Sequence, residues 1–348
     1  MASAAAEPEF ARLLARALAR RIEADDVRSA FDAILAGAWT PVQVGAFAVA
    51  LRMGGETAEQ IVAAAGAMRA AMTPVEHGLP VVVDTCGTGG DGAHTLNLSS
   101  AAAIVVAACG LPVAKHGNRS VSSRCGSADV VEALGIPIDV PPANQGQILH
   151  EAGITFLFAP AHHPALRHAA QARRELGTRT IFNALGPLAN PARATHQLVG
   201  VYDDALRAVA AQALGRLGVT RAWVVRGEDG LDEVSPCGPT RVSELAPDGS
   251  VEERVVSPED FGVARVSPGA LAGGDATDNA RALVAILNGE AHGAREAVVL
   301  NAAAALAVGT GDDLRLCGAR ARQALDDLSA SRKLEAWRAA AIRWRGRA

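Results

Sequence analysis

Cysteine is scarce in this chain, and the five present, Cys86, Cys109, Cys125, Cys237 and Cys317, are odd in number and form no Cys-x-x-Cys pair. That pattern offers neither a disulfide framework nor a zinc site, and it suits reduced thiols in the cytoplasm. A basic excess is missing too: 33 Lys and Arg stand against 37 Asp and Glu, for a net charge of −4. Proteins that live on nucleic acid usually carry a basic surplus, so the balance argues against that role. No uncharged apolar run approaches the ~20 residues needed to cross a bilayer. The early stretch from Phe10 to Ile22 is interrupted by arginines at 12, 16, 20 and 21, unlike a secretory signal. What remains is an ordinary globular mixture, 49% hydrophobic and 20% charged, over 348 residues, enough for two packed units.

The first 72 residues read as four amphipathic helices. Phe10, Leu13, Leu14, Ala17, Leu18 and Ile22 fall on one stripe at spacings of three and four, and Val27, Phe31, Ile34 and Leu35 repeat it before Gly37. Thr40-Pro41 is a helix start, and Thr57 with Gln60 is a capping box for a helix running to Met72. At Val81 the texture changes. Val81 to Asp84 reads as a buried strand, Leu98 to Cys109 as a helix, Pro112 to Ala114 as a strand and Ala128 to Leu134 as a helix. Thr155–Phe158, Leu198–Val201 and Ala222–Val225 are further strands, with a helix from Asp204 to Leu217. This alternation predicts an α/β domain around a mainly parallel sheet. A helical insert from about Pro164 to Pro191 is expected to fold back onto the first bundle. Helices Asn279–Leu287, Ala294–Val308 and Asp313–Trp337 close the chain. The expected division is a helical domain over 1–75, joined by the insert at about 164–191, and an α/β domain over 76–348.

The chemistry concentrates in loops. Asp84-Thr-Cys-Gly87-Thr-Gly-Gly90-Asp91-Gly follows a strand directly, where glycines let backbone N–H groups cradle an anion. It is neither Gly-x-Gly-x-x-Gly nor a Walker loop, so nucleotide-fold readings fail. Thr95, Asn97, Ser99 and Ser100 crowd the mouth of the next helix. Capping needs one of them; four suit ligand oxygens, and a serine oxygen is a fair magnesium ligand. Lys115-His116-Gly117-Asn118-Arg119-Ser120-Val121-Ser122-Ser123, then Gly126-Ser127-Ala128-Asp129, reads as a second phosphate grip. The adjacent carboxylates Asp232 and Glu233 would repel a diphosphate unless a cation lay between them.

These blocks, with His163-Pro-Ala165, the run from Arg173 to Asn183, Gly186-Pro-Leu-Ala-Asn-Pro191 and Gly230-Leu-Asp-Glu-Val-Ser235, resemble the signature of the anthranilate phosphoribosyltransferases, in order and spacing, over nearly the whole chain. The resemblance implies a small helical domain hinged to a larger α/β domain, as in pyrimidine nucleoside phosphorylases, a homodimer formed through the helical domain, and a step of tryptophan synthesis in the cytoplasm. It implies that Gly87, Gly90, Asp91, Thr95, Asn97, Leu98, Ser99, Ser100, Lys115 to Ser123 and Ser127 contact phosphoribosyl pyrophosphate. Ser99, Asp232 and Glu233 would hold Mg2+. Gly87, Asn118 and Arg173 would contact anthranilate, with Lys115, Asn118 and Arg173 central to catalysis. Leu98 and Ser100 replace a common Val and Thr, keeping apolar and hydroxyl character.

Composition alone does not separate Arg173 from Arg174 and Arg179 as the fork for the anthranilate carboxylate; the resemblance selects Arg173. A dedicated general base is not demanded by a weakly basic aromatic amine, and His116 and His163 are the candidates if one acts. A nucleoside phosphorylase would need a Lys-His-Ser-Thr-Gly-Gly type of loop, which is absent. A nucleic-acid-binding relative should be basic with eroded ligand loops, and this chain is neither.

Overall fold

The computed structural model describes residues 6–120 and 124–347. Four helices come first: α1 (Ala6–Leu18), α2 (Ala24–Leu35), α3 (Pro41–Gly54) and α4 (Ala58–Ala71). Their apolar stripes meet in one core around Leu13, Val27, Phe31, Ile34, Phe47 and Ile61. The Thr57 box forms as expected, Gln60 N–H donating to Thr57 Oγ1 at 3.3 Å and Thr57 N–H to Gln60 Oε1 at 3.1 Å.

Strand and helix then alternate: β1 (Val83–Asp84), α5 (Leu98–Ala108), β2 (Val113–Gly117), α6 (Ser127–Ala133), α7 (Gln145–Ala152), β3 (Ile154–Phe158) and the one-turn α8 (Ala159–His162). The insert supplies α9 (Arg167–Leu176) and α10 (Ile181–Leu188). After it come β4 (His196–Gly200), α11 (Leu206–Arg216), β5 (Arg221–Gly227), β6 (Thr240–Leu245) and β7 (Val251–Val256). Helices α12 (Ala276–Leu287), α13 (Arg295–Thr310), α14 (Leu314–Asp326) and α15 (Ser329–Arg345) finish the chain. The seven strands form one sheet in the order β3-β2-β1-β4-β5-β6-β7. β1 to β5 are parallel; β6 and β7 add an antiparallel edge.

Period-two alternation assigns the two faces of the sheet. On β5, Trp223 and Val225 join the core built with α5 and the C-terminal helices, while Ala222 and Val224 join the core shared with the helical bundle. The insert belongs to the bundle side: α9 packs on α2 and α3, α10 on α3 and α4, and the Phe31 and Phe182 rings lie 5.2 Å apart. Arg69 of α4 reaches across, donating from Nε to Leu188 O at 2.8 Å and from Nη1 to Leu217 O at 2.6 Å. One guanidinium thereby satisfies carbonyls at the C-terminal ends of α10 and α11.

Several elements differ from expectation: α7 is an additional helix and β1 is confined to Val83–Asp84. The β6–β7 hairpin is not among the expected elements, although Asp248-Gly249 is a hairpin turn signal. The last expected helix is two helices, because Leu328 takes φ +62° and Asp327 Oδ1 accepts the Ser329 N–H at 2.9 Å. A short polar side chain bonding to nearby backbone competes with helix there.

Candidate active site

The strand order reverses at β1: the chain leaves it for β2 and β3 on one side and returns to β4 on the other. A reversal of this kind leaves a crevice beyond the carboxyl ends of the strands. The loops after β1, β2, β4 and β5 meet there. Thr88 N–H donates to Gly200 O at 2.8 Å, and Tyr202 N–H donates to Thr88 Oγ1 at 3.1 Å. Asp232 N–H faces Asp91 Oδ2 at 3.5 Å, and Ser99 N–H donates to Glu233 Oε1 at 3.2 Å. Gly200 makes this convergence sterically feasible. A Cβ on it would fall 1.5 Å from Asp232 O, so only glycine lets that peptide approach.

Lys115 ends at the floor of the crevice. Its side chain is 2% exposed, and Nζ donates to Thr85 O, Thr85 Oγ1 and Ser99 Oγ, each at 3.2 Å. The ammonium is thus a buried cation whose three protons all have acceptors. Below it Asp84, wholly buried, accepts from His116 N–H at 3.2 Å and from Asn190 Nδ2 at 2.8 Å. Burial pushes the Asp84 carboxyl up to about 6, with Lys115 opposing the rise. Asp84 and Asn190 lie within the motifs quoted above but carry no assigned role there, though an acidic residue closing an apolar strand is a usable signal.

Glu233 and Asp232 stand half-buried above this floor. Removal from water, then the nearby Asp91 carboxylate, raises both: Glu233 to about 7, Asp232 well above the usual carboxylate range. Lys115 opposes the rise at Glu233. Three acidic groups pushed together out of water are a poor arrangement unless a cation joins them. The donor set is hard oxygen: two carboxylates and the Ser99 hydroxyl. No three His, Cys, Asp or Glu side chains among the described residues form a protein-only metal cage. Few protein ligands, with water and substrate oxygens completing the shell, is how magnesium is usually held, so the residues fit that ion.

The remaining predicted contacts divide. Gly87 abuts Gly200, Gly90 takes φ +84°, and Asp91 Oδ1 accepts the Ala93 N–H at 3.0 Å. Thr95 bridges to Ala272. Asn97 sits at the cap of α5 without a side-chain cap bond, and its Oδ1 takes the Asn279 amide at 2.9 Å. Leu98 and Ser100 point inward, 0% and 2% exposed, so their side chains do not line the crevice. Gly117 is buried too: a Cβ there would meet Ser127 Oγ and the Phe156 ring. Asn118 is exposed, its carbonyl accepting from Ala128 N–H and Ser127 Oγ. Arg119 is exposed and paired with Asp129 at 2.8 Å and Glu132 at 3.0 Å. Asp129 also accepts from Ser120 N–H and Gly126 N–H. Val121, Ser122 and Ser123 lie outside the described residues.

On the insert side the arginines behave differently. Arg173 is half-buried over the Phe182 ring at 5.7 Å and has no hydrogen bond or ion pair among the described residues. Its burial depresses the guanidinium's pKa. Arg174 is exposed. The buried His116 and His163 rings lie 5.2 Å apart. Both are driven toward the neutral form, first by burial and then by a neighbouring histidine, His163 to about 4. His116 Nδ1 contacts Gly186 O at 3.0 Å; a carbonyl only accepts, so Nδ1 carries the proton and Nε2 remains a lone acceptor with no protein partner among the described residues.

A glycosyl transferase family α/β-domain model matches residues 79–331, and the same family's helical-bundle model matches residues 10–72. Among curated proteins, the anthranilate phosphoribosyltransferase of Myxococcus xanthus is 53% identical over 91% of this chain and 94% of its own length. That of Moorella thermoacetica is 51% identical over 89% and 92%. Among solved structures, the anthranilate phosphoribosyltransferase of Thermus thermophilus superposes with a TM-score of 0.89 at 40% identity, covering 95% of this chain and 99% of that one. The Saccharomyces cerevisiae enzyme in complex with PRPP and Mg gives 0.90 at 28% identity, covering 98% and 99%.

Proposed function

Since the chain belongs to the anthranilate phosphoribosyltransferase family, we propose that the crevice beyond β1 and β4 is where its two substrates meet. The reaction transfers the 5-phosphoribosyl group of phosphoribosyl pyrophosphate to the amine of anthranilate, giving N-(5-phosphoribosyl)anthranilate and pyrophosphate, in L-tryptophan biosynthesis. The observation that carries the site assignment is the Ser99 knot. This one residue receives the Lys115 ammonium at its hydroxyl and presents its N–H to Glu233, so the start of α5, strand β2 and the loop after β5 share one point.

Ser99, Asp232 and Glu233 are the residues that would hold Mg2+, which supplies positive charge to the departing diphosphate. Backbone N–H groups of the Gly87–Gly90 turn, apart from the Thr88 N–H held by Gly200 O, cradle phosphoryl oxygens. Lys115 keeps the Thr85 carbonyl and the Ser99 hydroxyl in place, a preorganised dipole arrangement that needs no rearrangement during reaction. Arg173, an uncompensated guanidinium beside Phe182, forks the anthranilate carboxylate, while Asn118 lies exposed at the turn beyond Gly117. His116 offers Nε2 as a lone acceptor for the amine proton.

The boundary between a helical domain over 1–75 and an α/β domain over 76–348 belongs to the same proposal, with the insert as the joint. So does a homodimer formed through the helical domain, supported by the strongly exposed Leu18, Val42 and Met53 on α1 and α3. No described helix is long and apolar enough to cross a membrane. Five free thiols suit a cytoplasmic setting. The deciding assay follows anthranilate fluorescence with purified protein. Consumption is expected only with phosphoribosyl pyrophosphate and magnesium both present; no consumption under those conditions overturns the reading.

A further inference from the structure

Two arginines approach the Tyr202 ring at the mouth of the crevice, and they are not equivalent. Arg52, from α3, lies 6.0 Å from the centroid and is paired with Asp203 at 3.0 Å and Glu56 at 3.8 Å, so its charge is already engaged. Arg179, in the turn between α9 and α10, lies closer, at 4.4 Å. It has no hydrogen bond or ion pair among the described residues. Its guanidinium also abuts the glycine-rich turn: a Cβ on Gly90 would meet Nη2 at 2.9 Å, Nε at 3.1 Å and Cζ at 3.2 Å. Nη2 and Nε are the nearest atoms, so the guanidinium lies directly against the Gly90 turn with its nitrogens foremost. Held between the Gly90 turn and the Tyr202 ring, the guanidinium keeps an N–H edge with no acceptor among the described residues. That edge is a planar fork suited to a tetrahedral or planar oxyanion.

We propose that Arg179 is a substrate-contacting residue whose fork takes a phosphoryl oxygen of phosphoribosyl pyrophosphate lying over the Gly90 turn. The inference rests on the proposed function above and adds a residue to it. Position decides between the two anionic substrates. Arg179 is packed on the turn that cradles phosphate, whereas Arg173 stands over Phe182, deep on the bundle side. Tyr202 acts as a positioning residue: its ring holds the guanidinium at 4.4 Å, and its N–H is tied to Thr88 in the same turn.

The test compares Arg179→Ala, Arg179→Lys and Tyr202→Leu with the unaltered enzyme, measuring KM for each substrate and calorimetric binding of phosphoribosyl pyrophosphate with magnesium. For Arg179→Ala, KM for phosphoribosyl pyrophosphate should rise roughly 10- to 100-fold, the scale of a charged hydrogen bond, with KM for anthranilate within about twofold. Arg179→Lys keeps the charge and loses the fork, so its rise should be intermediate; it also decides the matter if the alanine variant fails to fold. Tyr202→Leu should raise the same constant by about 3- to 10-fold. A rise confined to the anthranilate KM, or unchanged constants in both Arg179 variants, overturns the proposal. Absence of turnover in the unaltered enzyme is a distinct result: it removes the enzymatic reading, and this inference with it.

Discussion

The floor of the crevice and its insert-side wall carry the same sign of charge in opposite states. Lys115, on the floor, is buried with all three ammonium protons accepted by Thr85 and Ser99. Arg173, on the wall, is half-buried with no acceptor among the described residues. A cation satisfied before the ligand arrives contributes to architecture. One left desolvated and unpaired is costly to the free protein and is relieved by an anionic ligand. The contrast teaches that net charge or loop composition does not separate the two roles; the hydrogen-bond inventory does.

The largest effect should come from removing the acidic pair that faces the floor. Asp232→Ala with Glu233→Ala should lower turnover by roughly 10³-fold, the scale of lost charge stabilisation at a reacting centre, while leaving the fold intact. Steady-state rates across a magnesium titration, with circular dichroism as control, check this; normal turnover would refute the metal assignment. Lys115→Met comes next. Stripping the floor of its cation leaves Asp84 and Glu233 uncompensated and should destabilise by about 3 kcal/mol, read as a lower denaturant midpoint. Arg173→Ala sharpens the comparison because its signs are mixed. KM for anthranilate should rise about 10-fold or more, yet the ligand-free midpoint should stay level or increase. A marked loss of stability would show that Arg173 is structural after all.

A further effect, visible only through pH, concerns the neutral imidazoles between floor and wall. His163 falls to about 4 in the folded chain, against 6.5 unperturbed. Between those values the unfolded chain binds the extra proton, so the stabilising effect of a neutral His163 is present above 6.5 and lost as pH falls toward 4. His163→Gln should flatten the stability–pH curve in that window by on the order of 3 kcal/mol at most. Denaturant midpoints at pH 7, 5.5 and 4.5 would show it; an unchanged slope would mean that the ring is solvated.

Much of this was legible in residues close together in sequence. The Thr57–Gln60 box, the helix stripes of the bundle and the glycine turn after β1 all rest on local spacing, and local geometry honours them. What was missed depends on distant partners. Lys115 finds acceptors 30 and 16 residues away, Arg119 is captured by carboxylates 10 and 13 residues on, and Arg179 meets a ring and a turn on other loops. A loop rich in donors therefore looks like a phosphate grip from sequence, whether its arginine is free or already paired. Leu98 and Ser100 show the same limit: motif membership named them, and helix rotation turned them inward.

Gly200 has a consequence for how this chain tolerates change. It offers substrate no functional group, yet the smallest possible enlargement, a single methyl, would collide with the Asp232 peptide. In a deep mutational scan position 200 should therefore behave like a reacting residue, intolerant even of alanine. A laboratory-evolved or distant sequence that has lost glycine there must also have rebuilt the path of the chain through its acidic pair.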